Sequence, residues 1–249
     1  MSDPLQPLVD LPGVRDAADR ARDALGEVHR HKANRRGWPT TAAEAAVRAA
    51  RASAALDGGR TELPAAGEAG DPILSGALRV GQALDGDALA LLQSTWQRAP
   101  LQALARLHLL AAADLVDDPE SLGRPHSHQG VAERLAGVAD LVTGGTDAPA
   151  PILAAVVHGE LLTLKPFGVA DGIVARAASR LVCVSTGLDP HNLGVPEVSW
   201  LRRQQAYRNG AASFASGTPE GVGSWVILCC GALEAGAREA TSIADSASG

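Results

Sequence analysis

Three charged side chains fall within twelve positions of one another: Lys165, Asp171 and Arg176. The interval 158–188 reads as a helix, a tight turn at 165–172 and a second helix, with Arg176 one turn into it. A lysine has a reference pKa near ~10.4, so Lys165 is a cation and cannot accept a proton unless burial lowers that value by several units. Asp171 stands where the second helix begins, and its carboxylate is suited to cap the N–H groups of Gly172 to Val174, an interaction of about 0.5–2 kcal/mol. Other chemistry-bearing patterns are missing from the sequence: it has no G-x-S-x-G, no P-loop and no dinucleotide fingerprint. His126 and His128 lie two apart without a carboxylate or Cys at ligand spacing, and no metal is assigned to them.

The elements that must position these residues are helices. Hydrophobic residues make up 46% of the 249 positions and aromatics only 3%, with Ala and Leu prominent. Both are strong helix formers, and Ala-rich faces let helices approach closely. Val falls mostly within helical patterns, so the expected fold is all-α. The length suits one sizeable domain with a helical appendage, divided as an N-terminal extension over 1–60 and a core over 61–249.

In order, the pattern gives a loose arm over 1–12, a helix over 13–31, a break at 34–39, and a helix opened by Thr40 and Thr41 with Glu44 in a capping box. That helix stops at Gly58 and Gly59. A loop over 61–71, a helix over 72–84, a short segment over 86–92 and a helix over 101–116 follow. Further helices are expected over 131–142, 149–164, 173–186, 200–213 and 225–243, with a loop over 189–198 and a frayed tail over 244–249.

The net charge of −6 gives no reason to expect nucleic acid as a partner. The one basic cluster, 29–36, reads as an exposed helix end or loop. Cys183, Cys229 and Cys230 lie in apolar helical stretches, which argues for reduced, buried thiols and a cytoplasmic location. No apolar run approaches the roughly 20 residues of a membrane span, and no signal peptide is read at the start.

The turn resembles the signature of the Fic (Fido) family of nucleotidyl-transferring proteins, H-P-F-x-[D/E]-G-N-G-R-x-x-R. Pro166, Phe167, Gly172 and Arg176 match it. Lys165 stands where the family has its catalytic His, Val169 where it has a metal-binding acid, Ala170 for a Gly, Asp171 for the Asn and Ile173 for the first Arg. Upstream, 53–58 is similar to the family's inhibitory-helix pattern, [S/T]-x-x-x-[E/D]-G, through Ser53, Asp57 and Gly58; the resemblance implies that Asp57 pairs with Arg176. Leu107 and His108, His158 seven residues before Lys165, Tyr207, and the Trp225 region resemble further parts of the family, across roughly 41–240. Gly123 and Arg124 resemble the start of the target-docking hairpin, but the strands that should follow are missing.

In the family, the helix N-terminus after the turn binds phosphates and the His acts as general base on a target hydroxyl. The acid holds magnesium. Here Lys165 is a poor base, Val169 cannot bind magnesium and Ile173 cannot clamp phosphate. Asp171 adds negative charge where an anion should sit. The resemblance therefore implies a degenerate site whose remnants are Phe167, Asp171, Gly172 and Arg176, in a protein that works by binding a protein partner or a small nucleotide. The alternative is an active transferase rebuilt around Lys165 and Arg176, which would use ATP with magnesium; otherwise no cofactor is assigned. Ala-rich helices are also compatible with a homodimer.

Overall fold

The computed structural model describes residues 3–63 and 70–247, and among them there are α-helices and no strands. Twelve α-helices follow one another: α1 Gln6–Val9, α2 Val14–Arg30, α3 Asn34–Leu56, α4 Pro72–Ala83, α5 Gly86–Arg98, α6 Pro100–Ala112, α7 Val131–Asp140, α8 Ala150–Leu164, α9 Asp171–Ser185, α10 Pro196–Arg202, α11 Gln204–Ala215 and α12 Pro219–Ser246. A 3-10 turn (Pro119–Ser121) precedes α7, and a π-turn (Leu141–Gly145) extends it.

The hairpin of α8 and α9 is the centre of the molecule. From Ile173 to Val184 every residue of α9 is buried, and α8 is buried from Pro151 to Gly159. Neither helix has a polar face, because each is enclosed: α8 packs on α2, α7, α11 and α12, and α9 on α3, α4, α5 and α6. One contiguous core runs from Leu5 to Ala240, so the first 60 residues share it with the rest. Small residues set the spacing. A Cβ on Gly76 of α4 would stand 2.0 Å from the Ala111 carbonyl oxygen of α6, so backbone meets backbone there.

Several boundaries differ from the sequence expectation. The helix expected from Thr40 begins at Asn34 and runs through Pro39. Buried Asn34 donates to the Val28 carbonyl at the end of α2 (2.8 Å) and accepts from Thr41 Oγ1 (2.7 Å). Those bonds hold the first turns in place, while Pro39 forfeits only one N–H, the partner of the Arg35 carbonyl. The segment from Gly86 is a full helix of 13 residues. The loop expected over 189–198 is interrupted by α10, whose Glu197 is buried against Arg180 of α9 at 2.8 Å. The N-terminal arm is pinned: Asp3 accepts from Thr146 Oγ1 (2.7 Å) and the Asp147 N–H (2.6 Å), and Leu5 and Val9 are buried. The C-terminal helix continues to Ser246 with Ala244 buried. Most of the loop expected over 61–71, and the last two residues of the expected tail, lie outside the described residues.

The basic cluster at 29–36 divides in two. Arg35 and Arg36 are exposed. His29 bonds to buried Asp189 (2.9 Å) and His31 to Asp245 (3.1 Å), fastening α2 to the core. All three cysteines are free and buried. No helix among the described residues is long and apolar enough to cross a membrane.

Candidate functional site

Lys165 ends α8 in the left-handed region (φ 48°), and Ala170 precedes α9 in the same region (φ 54°). Non-glycine residues rarely adopt this conformation, so the intervening turn needs support from outside. A segment after the 3-10 turn supplies part of it. The His126 N–H donates to the Pro166 carbonyl, and His126 Nε2 donates to the Lys165 carbonyl, both at 2.9 Å. His108 of α6 stacks on Phe167 with ring centroids 4.2 Å apart. Its Nδ1 accepts from the Gly123 N–H (2.9 Å), and burial pushes its pKa below the ordinary value.

Asp171 closes the turn from inside, and here the expected cap is corrected. Its Oδ1 accepts from the Phe167 N–H (2.9 Å), behind it in sequence. The helix already includes Asp171, and the capping position belongs to Ala170, which has no side-chain acceptor. A residue inside the first turn cannot reach the N–H groups ahead of it as a cap does. Burial raises the Asp171 pKa to about 6, against the lowering pull of the Phe167 and Gly168 N–H groups and of nearby His126 and Lys165.

Arg176 is buried below the turn, with 1% of its side chain exposed. Its Nη2 lies 2.8 Å from Asp57 Oδ1 and donates to the Ser53 carbonyl (3.0 Å); its Nε donates to Ser53 Oγ (2.8 Å) and its Nη1 to the Tyr207 hydroxyl (3.3 Å). The five N–H donors of a guanidinium leave almost nothing over. The chain of bonds continues from Tyr207 to His158 Nε2 (2.8 Å) on α8. Burial, with the Arg176 charge, holds His158 well below its ordinary pKa, so it is neutral. Burial disfavours charge on Arg176 as well, but Asp57 and Tyr207 outweigh it and raise its pKa. One network thus joins α3, α9, α11 and α8.

Asp57 also faces the cleft at the start of α9. A Cβ on Gly172 would fall 2.4 Å from Asp57 Oδ1, so the carboxylate rests directly on the glycine. The cleft has a volume of about 410 Å³, with Asp57, Asp171 and Lys165 as its charged walls. Lys165 and Val169 are exposed at its rim.

The seven sequence-predicted site residues therefore gather around one turn. Sequence reading missed the part played by His126, which it weighed only as a metal ligand with His128. The two rings lie 4.1 Å apart, and among the described residues no group of three or more His, Cys, Asp or Glu is placed to hold a metal ion. His158 and Tyr207 stood out in the sequence, but nothing there joined them to Arg176.

No family model matches this sequence, and no curated protein does. Solved structures do. Among them, residues 134–508 of Fic-1 from C. elegans superpose with a TM-score of 0.71, covering 96% of this chain and 74% of that one, at 15% sequence identity. The chain has the Fic fold. Among the described residues, the segment that follows Gly123 and Arg124 forms no strand. The likeness extends over nearly the whole chain. At this identity it establishes the Fic fold alone, and the chemistry has to be argued from the residues of the turn.

Proposed function

We propose that this Fic-fold protein lacks ordinary protein adenylyl transfer and acts by binding, with the anion position of its cleft occupied by its own side chains. The observation that carries this reading is the engagement of four of the five N–H donors of Arg176. These donors are taken by Ser53, Asp57 and Tyr207, so an anionic ligand must first displace a carboxylate. The residues present do not fit a magnesium nucleotide in this arrangement. Val169 offers no oxygen, Asp57 is engaged by Arg176, and Asp171 is engaged by the Phe167 N–H. A general base must reach a substrate proton with a free lone pair, and Lys165 is an exposed amine on a strained helix end.

Isothermal titration with ATP, with and without magnesium, tests the reading. The expected result is no heat with the unaltered protein and measurable binding for Asp57→Ala. Tight, magnesium-dependent binding to the unaltered protein overturns it. Silence in both forms moves the search to protein partners.

One feature favours a transferase different from the one rebuilt around Lys165 and Arg176, with Asp171 as its base. A carboxyl with a pKa of about 6 in a cleft is in the range of a general base. Transfer of label from α-³²P-ATP onto the protein itself or onto lysate proteins, lost in Asp171→Asn, would establish that second reading.

A further inference from the structure

A second cavity lies away from the turn. It has a volume of about 890 Å³ and sits between the N-terminal arm and helices α7, α8, α11 and α12. Ligand sites in proteins span about 300–1,000 Å³, with apolar walls and a few polar groups that fix orientation. The walls here are Leu5 and Leu8 from the arm, Val138, Val156, Phe214 and Val222. Gly137 and Gly145 also line it.

Two features set the chemistry of what enters. Arg134 and Glu160 line the cavity but neutralise each other at 2.7 Å. Asp140 also lines it, and its exposed carboxylate makes no ion pair or side-chain hydrogen bond among the described residues. Asp140 is the last residue of α7, just before the π-turn, in which Thr143 and Gly144 take non-helical conformations. The unbalanced charge of the mouth is negative, while the interior is hydrocarbon.

We propose that this cavity is a binding site for a small amphiphile with an aliphatic body and a protonated amine head, the body among the Leu, Val and Phe side chains and the head on Asp140. The N-terminal arm forms the roof. It is tethered at one end by Asp3 on Thr146 and Asp147 and joins α2 through Gly13 at φ 77°. Entry past this roof breaks the two Asp3 bonds and lifts Leu5 and Val9 from the core.

Thermal unfolding in the presence of submicellar dodecylamine is the test, with dodecanoate as the charge-reversed probe. The expected result is a rise of several degrees in Tm with dodecylamine and at least tenfold weaker apparent affinity for dodecanoate, with that preference lost in Asp140→Asn. Val156→Trp, which fills the cavity, should abolish the response. Should that variant fail to fold by circular dichroism, Val222→Trp at the partly exposed edge replaces it. No shift with dodecylamine overturns the proposal, as do equal shifts with both probes or an undiminished response in the filled variant. Because Asp57 and Arg176 take no part, ATP binding in the Asp57→Ala background is expected to be unaffected by these substitutions, which separates this site from the cleft.

Discussion

Asp57 and Arg176, 119 positions apart, form an ion pair 2.8 Å long in which the guanidinium is 1% exposed and the carboxylate 24%. The asymmetry governs what each substitution does. Arg176→Ala leaves Ser53 and Tyr207 without their buried partner and Asp57 without its counter-ion. Loss of the buried guanidinium leaves a cavity and buried polar groups unpaired at about 1–3 kcal/mol each, so the expected outcome is a large fall in the urea midpoint with no ligand present. Arg176→Lys should recover only part of it, because an ammonium cannot span Ser53, Asp57 and Tyr207 together. Unchanged stability of Arg176→Ala would show that the network is not a structural tie.

Gly172 is coupled to this pair by contact. Gly172→Ala on its own should push the Asp57 carboxylate off its seat, since the new Cβ would stand 2.4 Å from Oδ1 and 2.7 Å from Oδ2. Overpacking of this kind costs about 1–3 kcal/mol. In an Asp57→Ala background the clash is gone, and Ala is the better helix former by up to ~1 kcal/mol. A double-mutant cycle by chemical denaturation should therefore give a coupling of about 2 kcal/mol. Additive effects would mean that the carboxylate does not rest on the glycine in solution.

Two carboxylates should give opposite pH slopes. Asp171 has a folded pKa raised to about 6 by burial, above the ~3.9 of an unfolded chain. The native state then binds the extra proton, so stability is highest at low pH and falls as pH rises from about 4 to about 6. Asp171→Asn keeps an oxygen for the Phe167 N–H and removes this slope; its stability should exceed that of the unaltered protein at pH 7 by about 1–3 kcal/mol. Asp189 behaves the other way. Burial would raise its pKa, but His29 and the Leu193 and Gly194 N–H groups lower it overall. Its contribution is present above the ordinary carboxylate range and lost as pH falls through its lowered value. Urea midpoints between pH 3 and pH 8 for Asp171→Asn and Asp189→Asn check both signs.

The helices were legible because apolar residues recur at three and four positions, and α2, α4 and α8 lie within a residue or two of their expected bounds. Punctuation misled where tertiary bonds decided the outcome. Gly37 and Pro39 read as a break, yet Asn34 is anchored to Val28 and Thr41, and the helix passes through. At the turn, Asp171 looked like a cap because caps are commonly acidic. The true capping position shifted by one when Ala170 took a positive φ, which its own residue type does not announce. The approach of Asp57 to Arg176 was expected from resemblance; the Tyr207 and His158 extension joins helices whose neighbourhood no local pattern encodes.

His126 supplies the last test, because it separates the support of the turn from the network beneath it. Its ring donates to the Lys165 carbonyl while its backbone N–H donates to Pro166. Substitution by Ala removes the first bond and keeps the second. A hydrogen bond of this kind contributes about 1 kcal/mol, so His126→Ala should lower stability by about that amount. The larger effect should be local: amide exchange at Phe167 and Gly168 should quicken, since two left-handed residues flank a turn that has lost one of its braces. His128 touches the His126 ring and makes no bond to the turn, so His128→Ala should leave those amides unchanged. Equal protection of Phe167 in His126→Ala and the unaltered protein would show that Asp171 and the stacking of His108 hold the turn without it.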